Sequence, residues 1–242
     1  APAMTPVNPW ELLGTATLPG GDVMTLSRRG DEYALRVANV ELMNSRQSGS
    51  EESLATLAGA RVPSLERAAV LVGGLGMGFT LRAALDALPA DASVTVAELV
   101  PEVVAWNRSH LGGLAGEPLA DPRVRVVVGD VADLVRGAEA RYDLVLLDTD
   151  NGPEGTTHED NEWLYSRAGV RALHTALRPG GVLAVWSVFP SDAFTKRLAG
   201  AGFDVDVEHV RSRGKKGHRH VIWLAQRRAG PARRGRRPRR QR

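Results

Sequence analysis

Five apolar runs of strand length, "AAVLVGGL", "SVTVAEL", "VRVVVGD", "YDLVLLD" and "GGVLAVWSVF", alternate with stretches of helical spacing at Thr80 to Leu88, Pro101 to Leu111 and Asn161 to Leu177. Runs that are apolar at nearly every position belong to strands buried on both faces, and strand-helix alternation makes such a sheet parallel. Few folds satisfy both demands. Pro101 suits the first turn of its helix, and "RPGG" at 178–181 ends the long helix before the fifth strand. Beyond it, "GFDVDVEHVRSRGKKGHRHVIWLAQR" holds two β-rich runs joined by a basic loop without an intervening helix. The spacing predicts an antiparallel hairpin at the sheet edge.

The section from Trp10 to Asn44 has β-prone runs with "PGGD" and "RRGDE" turns, which predicts a small β-meander. "SEESLATLAGA" then starts a helix, with Ser50 as its expected cap. With 242 residues, 43% of them hydrophobic, the chain suits one α/β domain with an appendage. The expected boundaries are 1–47 for the meander, 48–226 for the α/β domain and 227–242 for a disordered tail. That tail, "RRAGPARRGRRPRRQR", has nine arginines and no acid, so the net charge of +3 conceals an acidic body of net −6. Arginines without interleaved aromatics suit weak polyanion contact better than base recognition. No apolar run reaches the roughly 18 residues of a membrane span, "APAMTPVNPW" lacks signal-peptide regions, and cysteine is absent. The expectation is a cytoplasmic protein without membrane contact.

The chemistry starts where the first parallel strand breaks into Gly73, Gly74, Gly76 and Gly78. Bare backbone there lets a ligand approach the carboxyl ends of the strands, although a tight turn needs glycine even when nothing binds. A dinucleotide fingerprint would place another glycine at Phe79, and no Lys-Ser/Thr follows for a phosphate loop. Glu98 ends the second strand twenty residues beyond Gly78, where a carboxylate accepts from ribose hydroxyls, followed by Leu99. Asp130 ends the third strand, placed to accept from an adenine amine, with the Val131 amide beside it as donor. Three features at successive strand ends describe an adenosine site without a pyrophosphate.

The order of "VLVGGLGMG", "VAEL", "DPRVRVVVGDV", "YDLVLLD" and "LRPGGVLAVW" resembles class I AdoMet-dependent transferases, and within them the spermidine synthase-like family. The resemblance implies a Rossmann-like class I methyltransferase fold: a mostly parallel seven-stranded sheet with an antiparallel C-terminal hairpin and a short β-rich N-terminal section. It also implies a transferase using S-adenosyl-L-methionine or its decarboxylated form. In aminopropyltransferases of this family an Asp in the glycine turn pairs with the amine of the decarboxylated donor, and Gly76 stands at that position here. An Asp would repel the carboxylate of intact AdoMet by roughly 1–4 kcal/mol, so its absence points to the intact donor. The family's Tyr-His pair is replaced by Ala55 and Thr56 after Glu51 and Glu52, which argues against putrescine as acceptor.

Asp148 in "LLDTDNGP" matches the family's proton-accepting Asp, with Asp150 close to a second and Tyr165 near a family tyrosine. Two close carboxylates hold a cationic amine or act as general base. The polar loop "NGPEGTTHEDNEWLYS" suggests a lid; His158, Glu159 and Asp160 within it lack the i, i+4 spacing of a zinc pair, so no metal is expected. His218 and His220 read as hairpin surface. The reading is methyl transfer to a small amine-bearing acceptor. Its rivals are aminopropyl transfer, cyclisation of AdoMet releasing methylthioadenosine, and a non-catalytic adenosine-binding or RNA-associated role. A homodimer contact would fall on the N-terminal β-section.

Overall fold

The computed structural model describes residues 9–149, 153, 163–213 and 216–229. Asp150, the residues from His158 to Asp160, and most of the arginine tail lie outside the described residues. The strands Glu11–Thr17 (β1), Val23–Arg29 (β2), Glu32–Val37 (β3) and Val40–Asn44 (β4) pair antiparallel in chain order, which is the expected meander. The second sheet contains Ala69–Gly73 (β5), Ser93–Glu98 (β6), Val124–Val128 (β7), Tyr142–Leu147 (β8), Leu177–Ser187 (β9), Phe203–Arg213 (β10) and Lys216–Arg227 (β11). Its order is β10-β11-β9-β8-β5-β6-β7. Strands β5 to β9 run parallel, while β11 pairs antiparallel with both β9 and β10. The chain moves from β5 outward through β6 and β7, then returns to β8 on the other side of β5. A crevice therefore opens where Gly73 and Leu147 end neighbouring strands.

Helices Gly49–Gly59 (α1), Phe79–Ala87 (α2), Pro101–Trp106 (α3), Val131–Val135 (α4), Arg167–Ala176 (α5) and Asp192–Gly200 (α6) cover the sheet. Alternate side chains of each strand enter opposite cores. Val70, Val72, Leu144 and Leu146 join one cluster with α1 and α2, whereas Leu71, Val145 and Leu147 join another with α4 and α5. This alternation is why the strands read as continuous apolar runs. Met24, Leu26, Leu35 and Val37 of the meander belong to the first cluster, so the two sheets share one core.

Three helix boundaries differ from expectation for local reasons. Helix α3 stops at Trp106 and widens into a π-turn over Asn107–Leu111. There the Asn107 side chain turns inward and donates to the Val103 carbonyl at 2.9 Å, competing with the backbone ladder. The helix expected from Asn161, a residue outside the described ones, is interrupted at extended Ser166, which follows a helical turn at 163–165 and caps α5 by accepting from the Gly169 amide. Ser50 is not the cap of α1: Ser48 holds that position, and Ser50 lies in the first turn with its hydroxyl donating to Glu51 at 2.7 Å.

The "DPRV" stretch has a mechanical role. Asp121 accepts from the Arg123 backbone amide, Nε and Nη2, while Arg123 Nη1 donates to the Leu88 carbonyl just beyond α2. The hydrogen bonds from Arg123 hold the Asp121 carboxyl down at about 2. Its stabilising charge is present above the ordinary value of 3.8 and is lost as pH falls toward 2. Asp121→Asn is expected to cost about 1–2 kcal/mol in urea unfolding near neutral pH, with the difference from the parent closing in acid.

Candidate active site

A cleft lies over the carboxyl ends of β5 to β8. Gly74, Gly76, Glu98, Leu99, Asp130, Val131, Asp148 and Thr149 line it, and Met24, Leu35, Leu42 and Met43 of the meander close it from above. The structure thus brings together seven of the sequence-derived positions. Gly73 and Gly78 are not among the lining residues. A Cβ on Gly73 would sit 2.9 Å from Leu147 Cδ2, and one on Gly78 would sit 3.1 Å from Asn107 Oδ1, so both glycines serve protein packing.

Gly74 and Gly76 have φ of 88° and 51°. A Cβ on Gly74 would lie 2.4 Å from the Asp148 carbonyl oxygen, which lets the ends of β5 and β8 touch. On Gly76 it would lie 2.6 Å from Met43 Sδ. The turn is held from below by Glu98, only 8% exposed, whose two oxygens accept from the Leu75 and Val100 amides at 2.9 Å each. Asn107 Nδ2 donates to the Gly76 carbonyl at 2.8 Å. Asp130 caps α4 by accepting from the Ala132 amide at 2.8 Å. Val131, first in that helix, points its amide outward as helix N-termini do.

Asp148 sits where two cavities meet, because it lines the cleft and also a wider outer cavity. Thr80 Oγ1 donates to its Oδ2 at 2.7 Å and lies 3.4 Å from the Glu51 carbonyl oxygen. The outer cavity has Glu51, Trp186, Phe189, Arg219 and His220 on its walls, together with Leu42 and Met43. Tyr165 lies elsewhere. It is 4% exposed, packs edge-on against Phe194 at 5.6 Å, and shares a 2.7 Å hydrogen bond with Thr149, which lines the cleft. His220 is not plain hairpin surface, since it packs edge-on against Trp186 at 4.7 Å.

Motif reading named Glu51 beside Glu52 and gave it no role of its own. Glu51, Leu54, Ala55 and Ala58 are all buried on one face of α1, so its i, i+3, i+4, i+7 pattern carried the signal of a carboxylate on an apolar face. Burial pushes its carboxyl above the ordinary 4.5. Thr80, Asn107 and Met43 had no comparable local signal, because each matters only through a partner distant in sequence.

With this geometry, the chain is an α/β protein of the class I methyltransferase-like fold. Residues 48–190 match the family model of the spermine/spermidine synthase domain, and the chain belongs to that family. It is 36% identical over 115 residues to putrescine N-methyltransferase 2 of Nicotiana attenuata, a match covering 47% of this chain and 29% of that protein. It is 35% identical over 120 residues to polyamine aminopropyltransferase 2 of Pseudomonas aeruginosa, covering 48% of this chain and 32% of the relative. The matched region thus spans about a third of the length of these curated relatives. The crystal structure of spermidine synthase from Thermotoga maritima superimposes with a TM-score of 0.73 at 18% identity, covering 91% of this chain and 74% of that one. Among the described residues no helix is long and apolar enough to cross a membrane.

The raised Glu51 carboxyl has a measurable signature. Its folded state favours the protonated form, so stability is lost as pH rises above 4.5. Glu51→Gln is expected to raise the thermal midpoint near pH 7.5 and to leave it unchanged near pH 4.

Proposed function

We propose that this protein transfers a methyl group from S-adenosyl-L-methionine to a small amine-bearing acceptor. The observation that carries the reading is Gly76, which puts no carboxylate in the glycine turn and faces Met43 instead. A donor that keeps its own carboxylate meets no repulsion there. In this reading Gly74 and Gly76 accommodate the methionyl part, Glu98 accepts from ribose hydroxyls beside Leu99, and Asp130 and the Val131 amide hold the adenine.

The bound donor supplies a methyl carbon activated by a sulfonium. The chain's task is then mainly alignment, worth roughly 7–11 kcal/mol in well-oriented systems. Asp148 stands between the cleft and the outer cavity, positioned by Thr80, and takes the proton from the acceptor amine. Tyr165 acts through Thr149 as a support for this strand end. The similarity to a putrescine N-methyltransferase supports the reaction type, and the similarity to aminopropyltransferases supports the rival in which a decarboxylated donor is used.

The nucleoside product decides between them. Mass spectrometry after incubation with AdoMet and a mixture of amines is expected to find S-adenosylhomocysteine, whereas methylthioadenosine would indicate aminopropyl or cyclisation chemistry. Asp148→Asn is expected to keep AdoMet binding and lose about 10²–10⁴-fold in turnover, the usual worth of a general base.

A further inference from the structure

The outer cavity is lined by two chemically different sets of residues. Glu51 is 8% exposed and lines the same space as Asp148, and Thr80 Oγ1 links the two residues by donating to Asp148 Oδ2 at 2.7 Å while lying 3.4 Å from the Glu51 backbone carbonyl oxygen. Ser50 donates to one Glu51 oxygen, but among the described residues no basic side chain forms an ion pair with Glu51. A buried carboxylate left without a cation is costly, and a ligand ammonium group removes that cost.

The other lining residues among those described do not repeat this chemistry. Val40 and Phe189 are 64% and 57% exposed at the cavity, and Val37 and Val188 continue the apolar lining. Glu41 is already paired with Arg36 at 3.0 Å. Arg219 adds a positive charge to the same walls, and Asp22 is exposed to solvent, where an ion pair is worth little. Among the described residues one ammonium is thus well provided for, and a second has no comparable place.

We propose that the acceptor is a monoamine with an apolar body, its ammonium held by Glu51 next to Asp148, and not a diamine. The proposal rests on the outer cavity being the acceptor site of the reading above. Glu51 selects the charged end, and the Val40 and Phe189 surface selects the remainder.

Putrescine and n-pentylamine have the same number of heavy atoms and differ in whether the far end is an ammonium or a methyl group. Calorimetric titration of the full chain with each amine, with and without saturating S-adenosylhomocysteine, tests the assignment. n-Pentylamine is expected to bind at least about tenfold more tightly than putrescine. Glu51→Gln is expected to weaken n-pentylamine about tenfold or more while leaving S-adenosylhomocysteine affinity unchanged, and Glu51→Asp to recover part of the loss. A folded Glu51→Gln variant with unaltered amine affinity, equal or tighter binding of putrescine, or no binding of either amine would overturn the proposal. Failure of the nucleoside alone to bind would instead overturn the donor reading, since the amine ranking is measured without it as well.

Discussion

The Glu98 carboxylate is the contact on which the site depends. Its two oxygens accept from Leu75, inside the glycine turn, and from Val100, at the entry to α3, and so join the ends of β5 and β6. Backbone amides in a turn that follows no helical or sheet ladder need such a partner, and leaving one buried and unmet costs roughly 1–3 kcal/mol. Asn107 completes the arrangement by binding the Gly76 carbonyl from the far end of α3. Gly74 then brings the turn against Asp148 at the end of β8, so the strands on both sides of the switch point share one rim. The carboxylate is therefore both a support for the cleft and part of its lining.

The meander closes what the larger sheet leaves open. Met43 lies over Gly76, and both Met43 and Leu42 line the two cavities. Because Met24, Leu26, Leu35 and Val37 share the core of the α/β unit, this cover is packed in place. Trp106 of α3 adds a second fastening, filling the space beside Gly14 of β1. Gly76 and Met43 form a matched pair: a side chain at one requires the other to move. That pairing ties the N-terminal section to the glycine turn, although the two residues are far apart in sequence.

Much of this was legible in the sequence because it was written in periodicity. Five continuous apolar runs gave a parallel sheet buried on both faces, and the two β-rich runs around the basic loop gave its antiparallel edge. Seven positions of the cleft were readable because strand-end residues meet at one rim in this topology. Less readable was the division of labour among them: Gly73 and Gly78 look like Gly74 and Gly76 until Leu147 and Asn107 are seen beside them. Tyr165 and His220 carried the same ambiguity, since an aromatic or imidazole side chain suits a core or a site equally well. Their neighbours, Phe194 and Trp186, come from separate elements and place one in the core and the other on the cavity wall. Glu51 was visible as a carboxylate on the buried face of α1, but its meaning needed the cavity it faces.

The central claim is that the rim receives a sulfonium nucleoside which retains its carboxylate, because Gly76 withholds the negative charge that would repel it. Calorimetry with AdoMet and decarboxylated AdoMet on the parent chain and on Gly76→Asp, with the uncharged Gly76→Asn as the control for displacing Met43, measures this. The parent is expected to bind AdoMet more tightly, and Gly76→Asp to reverse the order, with like-charge repulsion of roughly 1–4 kcal/mol. Tighter binding of the decarboxylated donor by the parent, or an order that Gly76→Asp leaves unchanged, would contradict the account.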